Sequence, residues 1–410
     1  MKKQYLQIAF LGCLLVNSVF SRAQRSYTAH SVLSAGNWYK LGVKSAGVYK
    51  IDIPLLNSLG VNTSGLSSST IRLYGNGGRA PGEANNAPRI DDLAEIAIQV
   101  VDGGDGMING SDYLLFYSDG PDHWDKDSAN LRFSHKKNLY TSKAWYFLTV
   151  GTNGKRIADA TLISFPTITI NSYSVRYFHE LDSVNFLSSG KEWYGEEFST
   201  APGKTPIRDF IIPYRGWQLN SPLVLVNNCL ARSAGTGSRF DIKINSQPSA
   251  QLLINPVSGG LYDLFAQSST VVMNGLASQD PVSVGYTFTP GSFDAQGWLN
   301  WFELFGRGNI SLNGTSQLLF RDWLSVGNSK GEFVISQAAT QVQVWEITDP
   351  LNPVRMQGIF SNNEYRFVND CSRLREYVAF NPANFLVPEA EGKISNQDLH
   401  NSSPADLLVI

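Results

Sequence analysis

Charge is scarce in this chain. Only 17% of its 410 residues are Asp, Glu, Lys or Arg, and they nearly cancel to a formal net charge of −2. A nucleic-acid binder needs a basic field, and this composition supplies none. Cysteine is scarcer still, with three in all. Cys13 sits in the N-terminal apolar stretch, so Cys229 and Cys371 remain. Those two either pair in an oxidising compartment or stay as buried free thiols. The sequence has no CxxC, HExxH or nucleophile-elbow pattern with supporting context. Long apolar runs are also missing: after the N-terminus no segment could form a membrane helix, so none is expected in the mature chain. Helical periodicity is rare.

The N-terminus carries an export signal. Met1-Lys2-Lys3 is basic, residues 8–19 are mostly apolar, and Ser21-Arg22-Ala23 puts small residues at −3 and −1 of a cleavage site. A signal peptide over 1–23 is expected, cut after Ala23. Cys13 as a lipid acceptor is the weaker reading, because the apolar run continues past it. The protein is expected to be exported, at the cell surface or outer membrane or in the periplasm.

Glycine (36), Tyr (17), Phe (22) and Trp (9) are plentiful, which suits exported β-structure. The pattern from residue 36 is short strand, turn, short strand. Strands over 38–43 and 48–51 read as a hairpin. A short helix over 53–60 follows, with Pro54 in its first turn and Gly60 as its stop. Further strands are expected over 70–74, 93–101, 112–117 and 144–150. A second series runs over 208–213, 221–230, 239–244, 285–289, 299–305, 317–321, 332–335 and 341–347. The fold class is therefore mainly β, with two sandwich- or barrel-like regions. The expected division is an N-terminal β domain over 24–155, a second β domain over 156–381 and a polar connector over 382–404. The final run, 405–410, is apolar without alternation, like a strand buried on both faces of a parallel α/β sheet. It reads as the first strand of a further domain, with the whole as the front part of a longer protein.

Candidate chemistry is thin. The loop 102–112 offers Asp102, Asp105, Asn109 and Asp112 as a calcium set, although its spacing is not that of an EF-hand and the same residues are ordinary in turns. Cys229 ends an apolar strand, where a nucleophile could sit. It would need a base, and His179 and His123 are the candidates; a core cysteine is the better reading. His400 falls in the connector and reads as a surface or interdomain contact. Trp193 and Tyr194, with Glu192 and Glu196, suit either a recognition surface or the filling of a sandwich core or interdomain seam, the filling being favoured. Asn76-Gly77-Gly78 lacks the helix and Lys-Ser/Thr of a phosphate loop and reads as a turn.

Several stretches in order resemble a known family. They are Asn37-Trp38-Tyr39-Lys40 with Gly47-Val48-Tyr49-Lys50-Ile51, Ile71-Arg72-Leu73-Tyr74-Gly75-Asn76-Gly77-Gly78, and Asp112-Tyr113-Leu114-Leu115-Phe116-Tyr117 with Gly120-Pro121 and Asn138-Leu139-Tyr140. His179-Glu180-Leu181-Asp182 with Ser189-Gly190-Lys191-Glu192-Trp193-Tyr194-Gly195-Glu196, Val344-Trp345-Glu346-Ile347-Thr348-Asp349-Pro350 and Asn396-Gln397-Asp398-Leu399-His400 follow. Together they resemble the N-terminal part of the type IX secretion sortases, within the gingipain family of cysteine peptidases. That resemblance implies that 405–410 opens a caspase-like peptidase domain, whose catalytic His and Cys come later, so no catalytic residue is assigned in this chain. It also implies partners: outer-membrane secretion-system proteins, and exported cargo whose C-terminal sorting domain is removed and replaced by a surface anchor. The competing reading is a free-standing exported β-sandwich protein for binding or adhesion.

Overall fold

The computed structural model describes residues 27–403, apart from 85, 189, 191, 261, 383 and 384. The signal segment with Ala23, and the run 405–410, lie outside the described residues. The described chain is mainly β, as expected. Its sheets pack face to face, and no barrel closes among the described residues.

The first region is a five-stranded sheet on a three-stranded one. The larger sheet runs Glu389–Ile394, Trp38–Val43, Ala144–Val150, Ile71–Gly75, Ala94–Ile96, and the smaller runs Gly47–Asp52, Tyr113–Ser118, Gln99–Val101. Leu41, Ile71, Leu73 and Leu148 of one meet Ile51, Leu114 and Phe116 of the other in an apolar core. The one α-helix among the described residues, Ile53–Leu59, has the expected signals. The Asp52 carboxylate accepts from the Leu55 N–H at 3.2 Å, Pro54 lies in the first turn, and Gly60 ends the helix at φ +90°.

The expected hairpin of 38–43 with 48–51 does not form. Trp38–Val43 pairs with Ala144–Val150 and Glu389–Ile394, and Gly47–Asp52 pairs with Tyr113–Ser118 in the facing sheet. Both strands bury side chains on both faces, so each needs cover on two sides, and the 44–46 turn passes between sheets. Residues 93–101 divide in the same way, into Ala94–Ile96 in one sheet and Gln99–Val101 in the other. The segment 382–404, read as a polar connector, carries the edge strand Glu389–Ile394. Its apolar pattern is weak because charge holds it: Glu389 and Glu391 pair with Lys143 at 2.5 and 2.7 Å, and Glu389 also with Lys44 at 2.5 Å.

The second region contains two pairs of sheets. In the first pair, Ser172–Glu180, Gln296–Asn309, Pro222–Arg232 and Gln267–Leu276 face Ile207–Ile211, Ser283–Thr289, Ser238–Ile244 and Gln247–Ile254. Phe302 on one side meets Phe210 on the other at 5.6 Å. In the second pair, Ala158–Asp159, Val354–Arg355, Gln343–Glu346, Glu376–Phe380 and Gln317–Arg321 face Ile168–Ile170, Lys330–Ser336, Glu364–Asp370 and Gly358–Ser361. One continuous core runs through both pairs.

The two regions are stacked, not strung out. The three-stranded sheet is buried on both faces because its side chains alternate between two cores. Tyr49, Ile51, Leu114 and Phe116 face the first region, whereas Val48, Leu115 and Tyr117 face Trp345, Ile347, Val378 and Phe380 of the second. Strand Glu376–Phe380 does the same from its own side. Tyr377 and Ala379 enter the sandwich core while Val378 and Phe380 enter the seam.

Candidate functional site at the seam between the regions

Three devices close this seam. The first is a side chain acting as a strand. Gln317 accepts from the Val48 N–H through Oε1 at 2.7 Å and donates to the Val48 carbonyl through Nε2 at 2.9 Å. The second is a returning segment: Leu386 donates to the Val48 carbonyl at 3.2 Å and accepts from the Lys50 N–H at 2.8 Å. The third is a two-stranded hairpin, His123–Asp127 with Arg132–Lys136, reaching from the first region across the second. Its Phe133 packs on Trp323 at 5.6 Å, its Trp124 on Phe305 at 6.3 Å, and its His135 stacks on Phe178 at 3.8 Å. Burying Phe133 and Trp124 in this way is worth roughly 1.5–3 kcal/mol each as an upper estimate.

Between these devices lies a cleft of about 1830 Å³. Charge gathers on its wall. Glu376 takes Arg176 at 2.9 Å, Arg321 at 3.4 Å and Lys126 at 4.0 Å. Burial by itself would raise the Glu376 carboxyl, but the three cations outweigh it and hold the group at about 2. Burial pulls Arg176 down to about 10, and Arg321 pushes in the same direction. The Arg176 guanidinium also lies over Phe133, 4.7 Å from the ring centroid, and over Trp124 at 5.2 Å. Asp119, deep in the same wall, accepts from the Tyr117 hydroxyl at 2.9 Å, and burial raises its carboxyl pKa. His135 is pushed down to about 4, chiefly by burial and then by His123 and Arg176. Of the titratable side chains gathered around Glu376, only His123 was singled out in the sequence. The signal that could have found the rest is a set of charged residues set into strands that otherwise read as apolar.

The expected site residues are placed as follows. Asp102, Asp105, Asn109 and Asp112 share one exposed loop, and each is engaged within it or close by. Asp102 accepts from the Ser68 hydroxyl at 2.5 Å and the Gly104 N–H at 3.1 Å. Asp105 accepts from the Met107 N–H and from the Asn109 amide, both at 2.9 Å, and Asp112 from the Asn109 N–H at 2.8 Å. Among the described residues no three His, Cys, Asp or Glu side chains stand together as a metal site. Cys229 and Cys371 are free thiols, both buried, and burial raises the pKa of each. Cys229 lies in the sandwich core, and no base is among its hydrogen-bond or ion-pair partners in the described residues. His179 is spent on Glu196 at 2.8 Å and stacks on Phe302 at 5.0 Å; His123 lines the cleft. His400 contacts the Thr28 carbonyl at 3.0 Å, tying the end of the described chain to its start. Trp193 is half exposed with its N–H on the Gly190 carbonyl, while Tyr194 stacks on Phe186 at 5.2 Å.

The chain matches no family model and no curated protein. Solved structures do match. The crystal structure of dimeric latent PorU from Porphyromonas gingivalis superposes at a TM-score of 0.77 with 20% identity, over 93% of this chain and 35% of that one. The insecticidal delta-endotoxin Cry8Ea1 of Bacillus thuringiensis aligns over 60% of this chain and 43% of that one, at 9% identity and a TM-score of 0.21, too low to carry an argument. The fold is therefore PorU-like over nearly the whole described chain. The chain spans about a third of the PorU chain that it matches.

Proposed function

We propose that this chain is the non-catalytic N-terminal portion of a type IX secretion sortase of the gingipain kind. Its role is to carry and position a cysteine peptidase domain that cuts C-terminal sorting domains from exported cargo and attaches a surface anchor. The observation that carries this reading is the fold match to PorU, over 93% of the chain at a TM-score of 0.77. Two further features support it. A stack of packed β-sheets with a buried seam is a stiff scaffold, and stiff scaffolds position chemistry better than loops do. The Cys229 thiol, sunk in the core with a raised pKa, is poorly suited to thiolate chemistry. Calcium is not needed by this reading.

An in-frame chromosomal deletion of codons 27–403 in the native cell tests it. Exported cargo should then keep its sorting domain, as read by intact mass. Normally trimmed cargo in the deletion strain would contradict the sortase reading and favour a free-standing binding protein. The exposed apolar loop residues Leu187, Trp193, Tyr262 and Leu264 would be the first surface to test for that alternative.

A further inference from the structure

The seam cleft has more cationic wall than the protein itself satisfies. Arg176, Arg321 and Lys126 converge on one carboxylate, that of Glu376. Arg321 is 4% exposed, and its Nε faces the same Glu376 carboxylate at 3.4 Å without completing a hydrogen bond. A guanidinium offers five N–H donors in a planar fork that fits a carboxylate, and leaving such donors unfilled in a buried wall is costly. Asp119 does not fill this gap, because its bonded partner is Tyr117. Two guanidiniums and an ammonium thus share one carboxylate on the cleft wall, a surplus of positive charge that suits a second carboxylate from outside.

The shape of the cleft selects what carries that carboxylate. Its volume, about 1830 Å³, is well above the roughly 300–1,000 Å³ of a small-molecule pocket. Strand His123–Asp127 pairs only with Arg132–Lys136, so its other edge is open among the described residues, and His123, Trp124 and Lys126 line the cleft. An open strand edge offers alternating N–H and C=O groups that an extended peptide backbone matches. Tyr173 and Tyr214 add flat apolar wall for the side chains of such a strand.

We propose that this cleft binds an acidic, extended peptide segment. One carboxylate docks on Arg176 and Arg321, and the backbone adds to the free edge of His123–Asp127. The inference stands on the cleft alone and does not depend on the sortase reading.

The test uses the purified chain and three probes: a decapeptide of alternating Glu and Val, its Gln-for-Glu counterpart, and oligogalacturonate. Calorimetric titration and amide hydrogen exchange are the readouts. The Glu-Val peptide should bind saturably and slow exchange in residues 123–127. Its affinity should fall about tenfold in Arg321→Gln, and the Gln peptide should be weaker by a similar factor. If Arg321→Gln does not fold, Lys126→Glu on the half-exposed rim should still weaken binding by about fivefold. Several results would overturn the proposal: no saturable binding of the Glu-Val peptide, affinity unmoved by the folded variants, or protection that spares 123–127. Tight binding of oligogalacturonate without strand protection would also overturn it, in favour of a sugar acid.

Discussion

Glu376 and Tyr377 are neighbours on one strand, and they work in opposite environments. Tyr377 points into the second region, where Phe320, Phe333 and Phe367 surround it with ring centroids 5.0–5.2 Å away. Glu376 points toward the seam, where Arg176, Arg321 and Lys126 surround it. A sandwich core tolerates changes that keep volume and apolarity, because its attraction is non-directional. A buried charge cluster tolerates almost none, because each partner must be present and aimed. The seam is thus the specific part of the molecule and the cores are the generic part.

The sharpest way to break that contrast is Glu376→Ala. It leaves two buried guanidiniums without their shared carboxylate, and should cost about 3–5 kcal/mol in denaturant unfolding. Tyr377→Phe next door keeps the ring and loses only the hydroxyl bonded by the Asn369 amide at 3.0 Å, so it should cost about 1 kcal/mol. Equal losses at the two positions would contradict the comparison.

Acid should act on the seam before the cores. The folded pKa of His135, about 4, lies below its ordinary 6.5, so the unfolded chain takes up the proton first. Stability therefore falls as pH drops from 6.5 toward 4, by on the order of 3 kcal/mol if His135 acts alone. Glu376, depressed from 4.5 to about 2, contributes stability that is full above 4.5 and is lost as pH falls through 2. Melting curves of His135→Phe should flatten in the upper window and keep the lower one. A variant with the unaltered pH slope would remove His135 from this account.

A smaller loss is expected at Gln317. Its amide stands in for a strand partner of Val48, so Gln317→Ala should cost about 1–3 kcal/mol by leaving the Val48 N–H without that acceptor. Gln317→Glu keeps the acceptor and should recover part of the loss. The least effect is expected at the 102–112 loop. Its carboxylates already hold loop N–H groups and Ser68, so millimolar calcium should leave the melting temperature where chelator leaves it. A rise with calcium would instead make Asp102, Asp105, Asn109 and Asp112 a working ion site.

Much of the fold was legible because it is written in apolar residues. The helix signals Pro54 and Gly60, and apolar strands such as Tyr113–Ser118 and Ala144–Val150, lie close to where the pattern puts them. Strands held by charge or by half-exposed polar residues were not legible. Glu389–Ile394 alternates charges, and Gln267–Leu276 begins Gln267-Ser268-Ser269-Thr270, so neither reads as apolar. Pairing was harder than existence. Trp38–Val43 and Gly47–Asp52 are each buried on two faces, and nothing in a two-sided strand says which neighbour it takes. The seam cluster was invisible for a further reason. Arg176, Arg321 and Glu376 are far apart in sequence, and only the stacking of the regions brings them together.

Differential scanning calorimetry of the intact chain tests the central claim most directly, since a seam that locks two β regions into one body must make them melt together. The expected result is a single transition for the unaltered chain, with calorimetric and van't Hoff enthalpies in agreement, that separates into two in Glu376→Ala. Two well-resolved transitions in the unaltered chain would contradict it, because the regions would then be independent domains and the seam only a contact between them.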